Sequence, residues 1–223
     1  MSRSQSVEDY LKSIYKLQQE VEKKGVSTTK LASDIGVSNA SVTNMLKRLS
    51  EMGFVNYESY YGTRLTKSGE KIALEIIRHH RLLELYLKEM MGYSWDEVHD
   101  EAEKLEHHIS EQFEDRIAEL LNDPEVDPHG DPIPTKDGKM PAVKTRPLSS
   151  VDSNRSFVVR RVKNQTPELL RYLEKQGIIP GVKVEVLAKE PFDGPVQLKI
   201  ENRTTTIGYK IAEDIYVVDT HAI

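Results

Sequence analysis

The chain has no cysteine, so disulfides and thiolate metal ligands are both excluded and any metal must be held by oxygen and imidazole donors. No apolar run approaches the ~18 residues that suggest a membrane span. The opening residues, MSRSQSVEDYLKSIY, lack the apolar centre of a signal peptide and read directly as helix. The expected location is therefore the cytoplasm. There is no HExxH motif, and the positions three before His107 and His108 are Lys104 and Leu105, which argues against the paired ExxH of a di-iron carboxylate protein. These absences favour a chain that is not an enzyme, with a metal-dependent hydrolase as the alternative.

What the chain does have is charge sorted into blocks. The net charge is −5 over 223 residues, a length sufficient for two or three small domains. Residues 73–130 carry 5 Lys and Arg against 16 Asp and Glu, whereas the segments on either side carry a slight basic excess. Six of the 7 histidines fall between His79 and His129, in that same acidic stretch. On a helix turning about 100° per residue, His99, Glu103, Glu106 and His107 share one face. His80 and Glu84 form a second pair one turn apart. A solvated acidic face with incidental histidines is the plainer reading. So much negative charge opposes compaction unless cations offset it, which favours bound metal.

The first segment has helix-turn-helix grammar. Apolar Tyr10, Leu11, Ile14, Tyr15, Leu17 and Val21 recur at helical spacing, and Gly25 follows. A short helix over Ser27–Ile35 is broken by Gly36-Val37-Ser38, and a second spans Asn39–Met52 with Ser38 as its N-cap. Ser38, Ser41, Thr43 and Asn44 can meet base edges and phosphates, Ala40 permits close approach, and Lys47 and Arg48 can reach the DNA backbone. A hairpin follows, Phe54–Glu58 returning through Thr63–Thr66, with Arg64, Tyr60 and Tyr61 at its tip. A three-helix module that binds protein is the alternative.

Beyond it, Lys67–Met91 reads as one long helix ended by Gly92, apolar on more than one face, which suggests burial against another subunit. Ser94 and Glu97 form a capping box for a helix running to Leu121 with a break near Ser110. Prolines stop it. The segment 135–154, rich in Pro, Gly, Lys and Ser, reads as a linker. Five short strands, at 156–162, 183–188, 196–200, 204–207 and 215–218, with a helix at 168–176, fit a small β-barrel.

With these residues in view, the chain resembles the diphtheria toxin repressor family of metal-dependent transcriptional regulators, including its manganese-responsive MntR-type members. The resemblance rests on Glu8-Asp-Tyr-Leu11, Ile14-Tyr15, His80-Arg-Leu-Leu-Glu84, Val98 through His108, Asp127-Pro-His-Gly-Asp-Pro-Ile-Pro134 and Gly177-Ile-Ile-Pro-Gly181. It implies a mainly α fold with a small β-barrel. The parts would be a winged helix-turn-helix DNA-binding domain over 1–72, a helical metal-binding and dimerisation domain over 73–134, the linker 135–154, and an SH3-like, FeoA-type barrel over 155–220. It further implies a primary metal site at Asp9, Glu103, Glu106 and His107, and an ancillary site at His80, Glu84 and His99, joined by Asp127 and His129. Lys12 stands where MntR-type members have a Glu ligand, which speaks against a closely spaced pair of manganese ions. The barrel ligands of iron-type members have no match around Arg161 to Gln165. The function implied is a homodimeric repressor of metal-uptake genes on a palindromic operator, activated by manganese, with iron(II) as the alternative cofactor.

Overall fold

The computed structural model describes residues 4–21, 25–58 and 61–220; Tyr60, expected at the hairpin tip, lies outside them. The described residues form two compact units. The first comprises Met1–His80, Leu105–Ser110 and Pro134–Met140, and the second Arg81–Lys104, Glu111–Ile133 and Pro141–Ile223. No helix among the described residues is long and apolar enough to cross a membrane.

The first unit is built on helices α1 (Gln5–Gln18), α2 (Thr28–Ile35) and α3 (Asn39–Glu51), and on the hairpin of β1 (Val55–Glu58) and β2 (Gly62–Leu65). Serine oxygens start two of the helices: Ser27 accepts from the Lys30 amide and Ser38 from the Ser41 amide, each satisfying an N–H that the helix leaves unpaired. Gly36 ends α2 at φ 76°, a left-handed conformation that glycine adopts without steric cost. In the hairpin Asn56 faces Arg64 and Tyr57 faces Thr63. The core is one cluster, with Leu11, Ile14, Leu31, Val42, Leu46 and Leu49 fully buried.

Helix α4 (Lys67–Met91) contributes to each unit. The second unit adds α5 (Val98–Leu105, through Lys104), α6 (Glu111–Leu120), and a six-stranded antiparallel sheet in the order β3-β8-β4-β5-β6-β7. Its strands are β3 (Arg146–Pro147), β4 (Arg155–Val162), β5 (Lys183–Lys189), β6 (Val196–Ile200), β7 (Arg203–Ile207) and β8 (Ile215–Asp219). Helix α7 (Pro167–Gln176) has Pro at its first turn and left-handed Gly177 as its stop. A short α8 (Tyr209–Asp214) precedes β8. Phe157, Val159, Val184, Val186, Leu198 and Val217 fill the interior together with Trp95.

Two features depart from the sequence expectation. The segment 135–154 is not a featureless connection: it contains β3, and Leu148 and Val151 are buried in the barrel core. Helix α5 also ends at Leu105, well before Ser110. Glu106, His107 and His108 form a turn, so they do not continue the helical face that carries His99 and Glu103.

Candidate metal centres and nucleic-acid face

In the first unit, Asp9 of α1 and Glu106 and His107 of the turn after α5 bring one ligand atom each within 4.8 Å of one another. The turn is held by α4, where His79 Nδ1 donates to the Glu106 carbonyl at 3.1 Å. Glu106 is fully buried. Glu8 Oε2 lies 2.7 Å from His107 Nδ1, fixing the ring so that Nε2 points to Asp9 Oδ1 at 2.8 Å and Glu106 Oε1 at 3.3 Å. Neither contact is aligned as a hydrogen bond, and Nε2 is a buried nitrogen without a hydrogen-bond partner among the described residues. Burial opposes a charge on this ring. Asp9, Glu8 and Glu106 outweigh it and push the imidazole up to about 9.

Glu106 has further partners. Lys12 Nζ donates to both of its oxygens at 2.8 Å, and His80 Nδ1 hydrogen-bonds its Oε2. His80, expected in the ancillary site with Glu84 and His99, also hydrogen-bonds Glu106 within this unit. Glu8, a carboxylate one residue before Asp9, is a participant that sequence reasoning did not single out.

In the second unit a separate trio converges: Glu84 of α4 with Asp127 and His129 of the loop after α6, all buried and again with ligand atoms within 4.8 Å of one another. His129 Nε2 donates to the Trp95 carbonyl at 2.7 Å. Its Nδ1 is the nitrogen left for another partner, 3.8 Å from Glu84 Oε2 and without a hydrogen-bond partner among the described residues. A carbonyl on the far nitrogen is how proteins orient a ligating histidine. Burial opposes the imidazolium here too, and Glu84 and Asp127 overcome it, raising His129 to about 9. Asp127 is pushed up to about 7 by burial and by the charges of Glu84 and Asp131, against the pull of Arg81 and His129. His99 Nδ1 stands 3.1 Å from Glu84 Oε1, and its Nε2 lies 3.8 Å from Glu103 Oε1. Glu103 is thus a neighbour of His99 in this unit.

The loop that supplies Asp127 and His129 is shaped from both ends. Asp127 Oδ1 accepts from the amides of His129 and Asp131. The Val162 amide donates to the His129 carbonyl, beside a register shift in β4 between Val159 and Arg161. Gly130, at φ 87°, packs so closely that a Cβ would sit 1.8 Å from the Arg160 carbonyl oxygen. Asp131, also missed from sequence, is held by Arg161, Gln165 and Arg81.

Both trios fit a divalent cation: each offers carboxylate oxygens and one oriented imidazole nitrogen that is buried and otherwise unused, and neither contains sulfur.

Of the residues expected to meet DNA, Ser38, Ala40, Ser41, Asn44, Lys47 and Arg48 are exposed on or just before α3, and Arg64 is exposed on the hairpin. Thr43 is half-buried and donates its hydroxyl to the Asn39 carbonyl at 2.9 Å, so that proton is engaged inside the helix.

A winged helix-turn-helix and buried carboxylate–imidazole clusters in one chain define a metal-responsive DNA-binding regulator. Comparison with known proteins agrees. The model for the iron dependent repressor N-terminal DNA binding domain matches residues 3–63, that for the iron dependent repressor metal binding and dimerisation domain matches 66–135, and the FeoA domain matches 146–219. The chain is 30% identical over 195 residues to the iron-dependent repressor IdeR of Mycobacterium leprae, covering 81% of this chain and 83% of that protein. It is 36% identical over 124 residues to the transcriptional regulator MntR of Lysinibacillus sphaericus, covering 55% and 86%. A solved manganese-dependent transcriptional repressor in complex with manganese is 39% identical, with a TM-score of 0.85 over 96% of this chain and 99% of that one. The chain belongs to the diphtheria toxin repressor family and is a metal-dependent, DNA-binding transcriptional repressor with a C-terminal FeoA domain.

Proposed function

We propose that this repressor responds to manganese, held in the first unit by Asp9, Glu106 and His107 and in the second by Glu84, Asp127 and His129 with His99 and Glu103 beside them. The observation that carries the reading is the buried His107 Nε2, without a hydrogen-bond partner among the described residues, set against the carboxylates of Asp9 and Glu106 in a chain without cysteine. Hard oxygen donors with a single imidazole suit manganese, and iron(II) competes for comparable donors. A divalent cation bound there would supply positive charge to carboxylates that otherwise repel one another.

The residues divide the work. Glu8 accepts a hydrogen bond from His107 Nδ1–H, which orients the ring so that Nε2 would be the nitrogen offered to a metal. Asp9 sits on α1, the helix that packs beside α2 of the helix-turn-helix, whereas Glu106 and His107 sit on the turn after α5. Drawing Asp9 onto His107 and Glu106 fixes α1 against that turn, and the arrangement so favoured is the one in which α3 is presented to DNA. Exposed apolar Met90, Met91, Phe113 and Leu120 at the end of α4 and on α6 support a homodimer. A two-fold dimer matches a palindromic operator. We read the regulated genes as those for metal uptake, the chain as non-enzymatic and its location as cytoplasmic.

The test is DNA binding by the full chain to sequences selected from a random pool, with manganese, with iron(II) under anaerobic conditions, and with chelator. Specific binding at micromolar manganese and its loss in chelator are expected. Equal or tighter binding in chelator overturns the reading.

A further inference from the structure

Lys12 is buried at 4% exposure, and its ammonium donates to both oxygens of Glu106 at 2.8 Å, with His80 Nδ1 at 3.4 Å. A buried lysine–carboxylate pair carries a desolvation cost that its attraction only partly offsets. Its position is the informative part. Glu106 Oε1, one of the two oxygens that Lys12 holds, is also the oxygen 3.3 Å from His107 Nε2, which in turn lies 2.8 Å from Asp9 Oδ1. One oxygen therefore faces an ammonium on one side and the Asp9–His107 pair on the other.

We propose that Lys12 is a resident competitor for Glu106, and that by holding this carboxylate it sets the divalent-cation concentration at which the Asp9–Glu106–His107 site fills. This inference rests on the reading of that trio as a metal site given above. Two effects act in the same direction. Glu106 can serve a second cation only by giving up a charge-assisted hydrogen bond at Oε1 or sharing that oxygen. The fixed positive charge of Lys12 also stays within a few ångströms, in surroundings too buried for water to screen it. Both lower the affinity.

In the metal-free protein Lys12 works the other way. Glu8, Asp9 and Glu106 bring three carboxylates around His107, and the ammonium offsets one of them, keeping α1 docked on the 106–108 turn. Lys12 is thus a positioning residue that raises the cation threshold while protecting the empty site. A sensor that must stay off at basal metal levels needs a site weaker than its donor set alone would make it, and a built-in cation provides that without removing a ligand.

The experiment uses the full chain and manganese as the probe, with Lys12→Met, which keeps an unbranched apolar chain and removes the charge. Manganese binding is measured by equilibrium dialysis with elemental analysis, and the relevant site is identified as the one that Asp9→Ala and His107→Ala abolish. Lys12→Met should tighten that site by tenfold or more and move half-maximal DNA binding to lower manganese by the same factor. Metal-free Lys12→Met should melt below the metal-free parent, with a larger rise in melting temperature on adding manganese. Unchanged or weaker manganese binding by the folded variant overturns the proposal. If Lys12→Met does not fold, Lys12→Gln is measured against the same expectation. Should Asp9→Ala and His107→Ala bind manganese like the parent, the trio is not a metal site and both readings fall. Should they lose the ion while the Lys12 variants bind as the parent does, only the competition fails.

Discussion

Glu84 and His129 face one another across 3.8 Å, both buried, with the far side of the imidazole tied to the Trp95 carbonyl. The ring nitrogen nearer Glu84 is the one left unused. His129→Ala removes that nitrogen and should eliminate one bound manganese per chain while leaving the ion at Asp9. Elemental analysis of dialysed parent and variant checks this. Equal metal content would mean that Glu84 and Asp127 are a structural pair only.

Asp9 is the part of the first trio that α1 contributes. Asp9→Ala should leave the chain folded, since Asp9 is partly exposed and outside the apolar core, yet remove the manganese dependence of DNA binding. Fluorescence anisotropy with a labelled operator across a manganese titration is the measurement. A variant that still responded to manganese like the parent would show that metal does not couple through α1.

Asn44 is exposed on α3 and Arg64 on the hairpin, and they should fail differently. Asn44→Ala should relax preference at one base pair by roughly 1–3 kcal/mol. Arg64→Ala should weaken all DNA alike and reduce the slope of log affinity against log salt by about 1. Affinities for an operator and its single-base variants at several salt concentrations distinguish the two. Reversed roles would misplace the recognition helix.

Gly130 has no room for a side chain. Gly130→Ala would combine a left-handed φ of 87° with a Cβ driven into the Arg160 carbonyl, so the loss of stability should be large, about 3 kcal/mol or more. Urea unfolding followed by tryptophan emission would register it as a lowered midpoint for the second unit. A midpoint within error of the parent would mean that the loop does not dock on β4 in solution.

Leu148 tests the segment before the barrel. It is fully buried in the barrel core, and Leu148→Ala should cost about 2–5 kcal/mol. If residues 141–154 were a loose connection, the same change would leave the unfolding curve in place.

Local chemistry made much of the fold legible. Ser27, Ser38 and Gly36 are caps and a stop whose reasons lie within a few residues of themselves, and the helix Lys67–Met91 falls where its apolar spacing puts it. The end of α5 was not legible, because no glycine or proline stands at Leu105. Distant groups select the turn instead: His79 takes the Glu106 carbonyl, and Lys12 and His80 take its carboxylate. That early stop leaves Glu106 and His107 outside the helix that carries His99 and Glu103, so the four do not share the single helical face that ideal geometry would give them. The burial of Leu148 and Val151 was hidden for a related reason, since a composition rich in proline and serine masks the two side chains that anchor the segment. Helix α8, six residues long, offers too few turns for a periodic signal.

Trp95 is the chain's only tryptophan, and its ring stacks on that of His129 with centroids 5.8 Å apart. The first trio has tyrosines Tyr10 and Tyr15 on its helix but no indole. Red-edge excitation therefore addresses the environment of His129 and nothing else in the molecule, so an optical titration of unlabelled protein can follow one cluster by indole emission while DNA binding follows the other. The chain carries its own single-channel reporter, so whether a divalent cation reaches the His129 cluster can be read without altering a residue.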